Sequence, residues 1–208
     1  MRYKLIVFDM DGVVFEHKNF WLELHKRLGT YGEGAALTKR YLKTDYERLV
    51  KEVVGKLWKG RDATPYYALV WSLRYEPGAQ EVLRACKRKG VKTAIISSGP
   101  KHAAMRVVEE CGLDYAHTQE LVIGPDNRFT GELRYRDVHD KREELEGFAI
   151  RAGCTLDETV FVGHGHNDVT ALRAAGLGVA YRPDDEEVRS AAKLVIGDLH
   201  QLFGLLES

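Results

Sequence analysis

The stretch that decides the fold is Lys4-Leu-Ile-Val-Phe-Asp9-Met-Asp11-Gly12-Val13, an apolar run that ends in two carboxylates and a glycine. A buried strand has no structural use for paired acids at its carboxyl end. Two carboxylates held this close repel each other unless a cation or a shared proton compensates their charge. One Asp after a strand is commonly a turn residue, whereas Asp-x-Asp-Gly after a buried run indicates a site. We therefore expect Asp9 and Asp11 to act together with a metal on an anionic substrate.

Short apolar runs alternate with helical segments along most of the chain. Most of these runs lack polar alternation, which indicates strands buried on both faces, as in a parallel sheet. The predicted fold class is α/β, an open, doubly wound, mostly parallel sheet with helices on both sides. A Gly-Pro-Asp-Asn turn within Val122–Leu133 also predicts a hairpin. The predicted strands are Tyr3–Asp9, Lys92–Ser97, Tyr115–Thr118, Thr159–Gly163, Gly178–Tyr181 and Lys193–Ile196.

Residues 15–75 break this alternation and predict an all-helical insertion, with one long helical pattern from Thr38 to about Lys59. An insertion after the first strand lies over the ligand crevice of an open sheet, so it is a lid candidate. The predicted domains are an α/β core of residues 1–14 and 76–208 and a helical cap of residues 15–75. We expect the cap aromatics mainly in its own core, with one or two facing the cleft: Phe20, Trp21, Trp58, Tyr66, Tyr67 and Trp71.

Composition excludes several classes of partner. The chain has 31 basic and 31 acidic residues, so there is no electrostatic case for nucleic acid or an acidic membrane. No apolar run is long enough to span a bilayer, and the chain enters its first strand without a signal-like segment. We expect a cytoplasmic protein, monomer or homodimer, whose cysteines are small core residues: Cys86, Cys111 and Cys154.

Two further strand ends carry candidate site residues. Ser97-Ser98-Gly99-Pro100 leads into a helix, where hydroxyls and free N–H groups form an anion cradle, although a helix N-cap explains Ser98 or Gly99 equally well. Gly163-His164-Gly165-His166-Asn167-Asp168 is a glycine-rich polar turn at the end of another strand. Lys141 opens the preceding helix, and its position alone does not distinguish it from a surface lysine. The remaining histidines considered show no ligand spacing and are interpreted as structural: His25, His102, His117, His139 and His200.

Taken in order, these segments resemble the four motifs of the haloacid dehalogenase superfamily. They are Asp9-Met-Asp11-Gly, Ser97 after an apolar strand, Lys141, and Gly163-His-Gly-His-Asn-Asp168. The similarity covers nearly the whole chain and is closest to the phosphoserine phosphatase-like branch with a helical cap. The resemblance implies a Rossmann-like core and a hydrolase acting on a small phosphorylated metabolite.

The resemblance also implies roles for individual residues. Asp9 would be the nucleophile that forms an aspartyl-phosphate, and Asp11 the acid and base for the two half-reactions. Ser97, Ser98, Gly99 and Asn167 would bind phosphate or substrate, and Lys141 would neutralise charge between the phosphate and Asp9. Mg²⁺ would be held by the Asp9 carboxylate, the Asp11 carbonyl and an acid of the fourth motif, Asp168.

The fourth motif departs from the family at His164, where the family places a metal-binding Asp. Imidazole is a poor ligand for Mg²⁺ but an acceptable one for Mn²⁺, Co²⁺, Ni²⁺ or Zn²⁺. Three interpretations remain open. Asp168 takes over coordination, His164 binds a softer metal, or the site is weakened.

The cap departs as well, because the family's Glu and Arg that clasp phosphoserine have only Glu16 or Lys18 and Lys51 as nearest matches. Lys does not reproduce the bidentate grip of Arg on a carboxylate, so phosphoserine specificity is in doubt.

Two hypotheses from different classes follow. The first is a metal-dependent phosphatase that acts through an aspartyl-phosphate on Asp9. The alternative is a weakened or non-catalytic phosphate-binding or regulatory protein. The presence of Asp11 favours the enzyme, because a binding protein has no need of an acid and base at that position. A response-regulator receiver shares the Asp and the Lys but has no place for the helical insertion.

Overall fold

A computed structural model describes residues 2–17, 19–134, 140–183 and 185–207. Lys18 and His139, both considered above, lie outside these ranges. No helix in the described ranges combines the length and the apolar character needed to cross a bilayer.

The core is a seven-stranded sheet in the order β4-β3-β2-β1-β5-β6-β7. All neighbouring strands are parallel except β3 and β4, which form an antiparallel pair. This arrangement confirms the predicted α/β class and the predicted hairpin. The strands are β1 (Leu5–Phe8), β2 (Lys92–Pro100), β3 (Tyr115–Ile123), β4 (Phe129–Arg134), β5 (Thr159–Gly163), β6 (Leu177–Tyr181) and β7 (Leu194–Ile196).

The sequence of the central strand β1 is apolar throughout because both of its faces are buried. Ile6 and Phe8 point into one hydrophobic cluster, while Leu5 and Val7 point into a second cluster on the opposite face. All four side chains are buried, as expected where helices cover both faces of a parallel sheet. The alternation of period two therefore places every β1 side chain in a core, and the first polar residue, Asp9, comes where the strand ends.

Helices lie on both faces of the sheet and in the insertion. Those of the core have well-defined ends, since α5 (Ala79–Lys89) is followed by Gly90 with φ of 73°, and the Asp140 carboxylate caps α7 (Lys141–Ala152) by accepting from the Arg142 N–H. The α-helices are α1 (Phe20–Arg27), α2 (Tyr31–Tyr41), α3 (Tyr46–Glu52), α4 (Thr64–Ser72), α5 (Ala79–Lys89), α6 (Lys101–Cys111), α7 (Lys141–Ala152), α8 (Val169–Ala174) and α9 (Glu186–Ala191). Short 3-10 helices cover Leu156–Glu158, His166–Asp168 and Leu199–Leu206, and a π-helix covers Val53–Trp58.

The single long helix predicted from Thr38 to about Lys59 is wrong. Helix α2 ends at Tyr41, and the chain restarts at α3 because the Asp45 side chain accepts a hydrogen bond from the Arg48 N–H. Helix α3 then passes directly into the π-helix, which changes the direction in which the following side chains point. The apolar periodicity was continuous across both breaks, so it gave no sign of them.

The insertion leaves and rejoins the core through two adjacent segments. Phe15 pairs with Tyr75 in an isolated antiparallel bridge, and the Glu76 N–H donates to the Val14 carbonyl. The predicted boundaries at 14/15 and 75/76 fall on this paired segment. The division into a core and a cap domain remains a prediction.

The insertion also contacts the β3–β4 hairpin. The Gly60 N–H donates to the Phe129 carbonyl, the Phe129 N–H donates to the Arg61 carbonyl, and the rings of Trp58 and Phe129 lie 6.2 Å apart. The insertion is therefore held to the sheet both at the paired linker and at the hairpin.

Outside the site, the prediction for Trp71 is wrong, and the prediction for the cysteines is confirmed for two of the three. Trp71 is 61% exposed and does not belong to the cap core that the sequence predicted for it, whereas Phe20, Trp58 and Tyr66 are buried. Its position on the outer side of α4 explains the difference, since only the opposite side of that helix packs inward. Cys86 and Cys111 are buried free thiols, as predicted, and Cys154 is partly exposed.

Candidate active site

The carboxylate of Asp9 lies at the carboxyl end of β1 and is almost fully buried. Its backbone N–H donates to the Val162 carbonyl of β5, which fixes the residue between two strand ends. The Lys141 ammonium donates to Asp9 Oδ1 at 2.8 Å. Burial alone would raise the pKa of Asp9, but the Lys141 charge and the His164 imidazole hold it below its usual value. Asp9 is therefore an ionised carboxylate at neutral pH.

Lys141, whose role spacing could not predict, is a completely buried side chain beneath the site. Its ammonium bridges Asp9 at 2.8 Å and Asp168 at 2.6 Å. Burial would lower the pKa of Lys141, but the two carboxylates raise it above its usual value. A buried ion is tolerated only where its charge is compensated, so these three groups form one mutually dependent cluster.

Asp11 is held by the first helix of the insertion. The Phe20 N–H at the start of α1 donates to Asp11 Oδ2 at 3.2 Å. Its other oxygen, Oδ1, is buried and has no hydrogen-bond partner among the described residues. Burial and the neighbouring charge of Asp9 raise the pKa of Asp11 to about 7. At neutral pH this carboxyl is poised between its acid and base forms, as a proton-transfer group requires.

The second strand end forms a compact loop around Ser97. The buried Ser97 Oγ accepts a hydrogen bond from the Gly99 N–H at 3.0 Å, and the Ser98 carbonyl accepts one from Trp21 Nε1 at 2.8 Å. A Cβ at Gly99 would lie 2.3 Å from the Met10 side chain and 3.4 Å from Asp11 Oδ1. A side chain at position 99 would have to displace the end of the Met10 side chain, and this segment approaches the acid pair closely.

The turn after β5 is organised by Asp168, which is completely buried. Its Oδ2 accepts hydrogen bonds from the backbone N–H groups of His164 and Gly165, and its Oδ1 accepts the Lys141 bond. Asn167 faces the cavity described below. His166 is exposed, its ring pairs with Glu187 at 2.9 Å, and it also lines the cavity.

His164 lies between the loop that follows β1 and the turn that follows β5. Its Nδ1 is 3.3 Å from Asp9 Oδ2 and 3.9 Å from Asp168 Oδ2. The ring packs against Gly12, whose added Cβ would lie 2.8 Å from His164 Nε2. Gly12 also has φ of 76°, a left-handed conformation that favours glycine. The glycine of the first motif therefore provides both the turn and the room for the imidazole.

The donor set can be compared with the needs of a divalent cation. Asp9, His164 and Asp168 each offer one ligand atom, and these atoms lie within 4.8 Å of one another. Asp168 Oδ1 accepts a hydrogen bond from Lys141, and its Oδ2 accepts the backbone N–H groups of His164 and Gly165, so both of its oxygens are held in place beside Asp9 and His164. Mg²⁺ prefers oxygen ligands, whereas Mn²⁺, Co²⁺, Ni²⁺ and Zn²⁺ accept imidazole. The residues therefore fit a transition-metal dication better than Mg²⁺.

A cavity of about 580 Å³ opens above Asp9 and Asp11, between the sheet edge and the insertion. Ser97, Ser98 and His164 line its floor beside the acid pair. Helix α1, the α3 region and the π-helix supply its walls and roof. The structure thus brings together at one end of one cavity the residues that the sequence placed at four separated positions.

Other expected residues lie outside this cavity. Glu16 is exposed and pairs with Arg74 at 2.8 Å, and Lys51 is exposed without lining the cavity. Neither is placed to clasp a substrate. Each described histidine interpreted as structural has a side-chain partner, and His25 among them also lines the cavity: His25 with Thr30, His102 with Tyr66, His117 with Glu144, and His200 with Asp198.

Two of the six cap aromatics, Trp21 and Trp58, line the cavity, in agreement with the expectation that one or two face the cleft, and Trp21 contacts Ser98 directly. Sequence reasoning missed other residues that face the cavity. Tyr46 and Gln119 were not considered, although the Tyr46 hydroxyl donates to Gln119 Oε1 and links the insertion to β3 at 3.0 Å. Lys43 also lines the cavity. None of these residues lies in a motif, and only the folded insertion brings them to the site.

The structure combines an α/β core, a helical insertion, and a site of two carboxylates and a lysine. This combination is typical of one class of hydrolases, and the comparison with known families gives the same class. The model of the haloacid dehalogenase-like hydrolases matches residues 3–176. The chain belongs to this family, and the resemblance drawn from its motifs is confirmed.

Curated relatives that match most of this chain are named phosphoserine phosphatases. The phosphoserine phosphatase of Archaeoglobus fulgidus is 34% identical over 182 residues, which cover 86% of this chain and 52% of that protein. The phosphoserine phosphatase of Albidiferax ferrireducens is 30% identical over 216 residues, which cover 99% of this chain and 90% of that protein. The chain spans about half the length of the Archaeoglobus relative and of a similar one from Streptomyces coelicolor.

Solved structures agree on the architecture. A phospho-aspartyl intermediate analogue of phosphoserine phosphatase superposes with a TM-score of 0.82 at 27% identity and covers 99% of both chains. A haloacid dehalogenase-family hydrolase from Salmonella enterica serovar Typhi gives a TM-score of 0.86 at 27% identity, over 98% of this chain and 71% of that one.

Proposed function

We propose that this protein is a metal-dependent phosphomonoesterase that acts on a small phosphorylated metabolite through an aspartyl-phosphate on Asp9. The observation that carries the proposal is the geometry of one cavity floor, where two carboxyls lie together and the Lys141 ammonium is 2.8 Å from Asp9 Oδ1. Lys141 keeps Asp9 ionised, while burial and the Asp9 charge raise the pKa of Asp11 to about 7. A nucleophile and a proton donor are thereby supplied side by side.

In the first half-reaction the Asp9 carboxylate attacks phosphorus, and the bond from phosphorus to the ester oxygen breaks. Asp11 gives its proton to the departing alkoxide, which leaves as an alcohol. In the second half-reaction Asp11 takes a proton from water, and the water oxygen attacks the phosphorus of the acyl phosphate. Phosphate leaves and the Asp9 carboxylate is restored, so atoms and charge balance over the cycle.

Negative charge accumulates on the phosphoryl oxygens in both steps, and the site offers compensation for it. The Ser97 hydroxyl accepts the Gly99 N–H and keeps its own proton to donate to a phosphoryl oxygen, and Lys141 supplies a buried positive charge beneath Asp9. Asp9, His164 and Asp168 would hold a divalent cation, and Lys141 holds Asp9 and Asp168 in place. When bound, that cation supplies positive charge to the phosphoryl oxygens and offsets repulsion between phosphate and Asp9.

The test is hydrolysis of a phosphomonoester panel with Mg²⁺, Mn²⁺, Co²⁺, Ni²⁺ or Zn²⁺, with Asp9→Asn as the matched variant. Asn has the shape of Asp but cannot attack phosphorus, so we expect turnover by the native chain and none by the variant. Full activity of Asp9→Asn would overturn the proposal.

The alternative, a non-catalytic phosphate-binding or regulatory protein, is tested in the same experiment. Phosphate binding measured by calorimetry, together with no turnover for any metal or ester, would favour that alternative. We expect the enzyme to act in the cytoplasm, as a monomer or homodimer.

A further inference from the structure

The walls of the cavity above the acid pair are apolar. Nine of the lining side chains are aliphatic or tryptophan, among them the six of Trp21, Leu49, Val53, Val54, Trp58 and Leu133. These six come from α1, α3, the π-helix and β4, so the apolar surface surrounds the space rather than forming one side of it. This part of the cavity is called the apolar chamber below.

The π-helix is responsible for part of this wall. Val53 and Val54 are consecutive, both are buried, and both line the cavity. The wider turn of a π-helix alters side-chain direction, and such turns are found preferentially at functional sites. Trp58 closes the same segment and stacks on Trp21 with ring centroids 6.1 Å apart. A rigid ring pair and two branched side chains therefore define the chamber.

Charged groups that would recognise an amino-acid head are missing from the described part of this lining. Apart from the catalytic cluster at the floor and the histidines, Lys43 is the one charged residue of the described lining, and it is exposed. His25 lies in the lining, but burial lowers its pKa to about 4, so it is neutral at pH 7. An ammonium and a carboxylate buried here would lose their hydration without gaining partners of opposite charge.

The polar groups that do line the chamber are largely engaged with each other. The Tyr46 hydroxyl donates to Gln119 Oε1 at 3.0 Å, and Trp21 Nε1 donates to the Ser98 carbonyl. A volume of about 580 Å³ is also within the range of sites that enclose ligands considerably larger than a phosphate with a short polar tail.

We propose that the substrate is a phosphomonoester of an apolar, branched or ring-bearing primary alcohol, whose hydrocarbon body fills the apolar chamber while its phosphate meets Asp9. This inference rests on the proposed phosphatase function and names the substrate class for the same site. It differs from the activity in the names of the phosphoserine phosphatase relatives, because the described walls offer a phosphoserine head mainly hydrocarbon, with Lys43 as their one charged residue apart from the histidines.

The test compares esters with the same type of leaving group, so that rate differences report binding rather than chemistry. The series is ethyl, butyl and 3-methylbutyl phosphate, with O-phosphoserine as the zwitterionic member. We expect kcat/KM to rise about fourfold per added methylene until the chamber is filled, since each buried methylene carries a favourable transfer free energy. We expect 3-methylbutyl phosphate to exceed O-phosphoserine by about tenfold or more.

Val54→Thr is the matched variant, because it replaces one methyl by a hydroxyl without changing shape. It should lower the ratio of kcat/KM for 3-methylbutyl over ethyl phosphate about threefold. Val70→Thr makes the same change in a buried residue of α4 outside the cavity lining and should leave that ratio as in the native chain. Thermal melting of both variants shows whether each is folded.

A binding measurement gives a second readout that does not depend on turnover. Trp21 and Trp58 line the chamber, so their fluorescence should change on titration with 3-methylbutylphosphonate, and much less with 2-amino-4-phosphonobutyrate. A preference for O-phosphoserine and its phosphonate, with turnover intact, would overturn the inference and leave the phosphatase proposal standing. No turnover of any ester, with selective binding of 3-methylbutylphosphonate, would support the chamber and overturn the phosphatase proposal.

Discussion

The two oxygens of Asp11 have different surroundings, and this asymmetry bears on its role. Oδ2 accepts the Phe20 N–H, whereas Oδ1 is buried without a partner among the described residues and lies toward the Gly99 loop. A buried acceptor without a partner is unfavourable unless a ligand group donates a hydrogen bond to it. We therefore assign Oδ1 as the atom that exchanges a proton with the ester oxygen and with water.

This assignment predicts a dependence on the leaving group in Asp11→Asn. An alkoxide must be protonated as it leaves, whereas a nitrophenolate leaves without a proton. We expect the rate with alkyl phosphates to fall about 10²- to 10⁴-fold, the usual contribution of general acid catalysis, and the first step with 4-nitrophenyl phosphate to fall far less. Burst kinetics separate that step from hydrolysis of the intermediate. An equal loss of the first step for both ester classes would contradict the assignment.

At His164 the expected change concerns metal preference. In His164→Asp an oxygen ligand replaces imidazole beside Asp9, so we expect affinity for Mg²⁺ to rise relative to Mn²⁺, Co²⁺ and Ni²⁺. Calorimetric titration of the native chain and the variant with each ion measures this directly, with activity as a second readout. An unchanged order of affinities would mean that position 164 does not contact the ion.

At the scale of elements, helix α1 connects the insertion to two catalytic loops. Its first N–H holds Asp11, and its Trp21 side chain holds the Ser98 carbonyl. The helix is oriented by its Asn19 cap, whose side chain accepts from the Leu22 N–H. Movement of α1 would therefore displace the acid group and the phosphate loop together.

Trp21→Phe tests this coupling, because it keeps a ring but removes the bond to Ser98. We expect a stability loss of about 1 kcal/mol, typical of one hydrogen bond, and a several-fold lower kcat/KM as the loop loses its anchor. The control is Trp71→Phe, since Trp71 is 61% exposed and outside the cavity. It should change stability by less than about 0.5 kcal/mol. Urea denaturation and ester hydrolysis measure both effects, and matching losses in the two variants would argue against a special role for Trp21.

At the scale of elements, the sequence predicted those features that depend on a few consecutive residues and missed those that depend on distant ones. Each predicted strand begins within two residues of an observed one, because a buried strand shows its character in a few consecutive side chains. The break at Asp45 and the π-helix after Glu52 were missed, because the apolar pattern runs through them. Trp21 could not be assigned to Ser98, since that contact joins residues 77 positions apart.

At the scale of the whole molecule, the topology explains why the motif residues could be grouped from the sequence. Parallel strands end at the same edge of a sheet, so acids after β1 and the polar turn after β5 necessarily become neighbours. Lys141 was ambiguous by position alone; the motif resemblance implied its role, and its complete burial between Asp9 and Asp168 distinguishes it from a surface lysine. The apolar chamber was invisible to the sequence, since it depends on how the insertion packs over that edge.

The insertion also makes stability depend on pH through His25, which is 2% exposed in the contact between α1 and the π-helix. Its Nδ1 bonds to Thr30 Oγ1 at 2.8 Å, and its ring lies 4.7 Å from the Trp58 ring. Burial lowers its pKa from 6.5 to about 4 in the folded chain. Between these values the unfolded chain binds a proton that the folded chain does not, so stability falls as pH falls through this window.

We therefore expect His25 to contribute a loss of about 2 kcal/mol in the free energy of unfolding between pH 7.5 and pH 5. In His25→Gln the side chain no longer titrates, so the stability curve should be flatter by that amount, although the variant is less stable at pH 7.5 because packing on Trp58 is lost. Urea denaturation of both chains at half-unit pH intervals measures the difference. Parallel curves over this window would show that acid sensitivity arises elsewhere in the molecule.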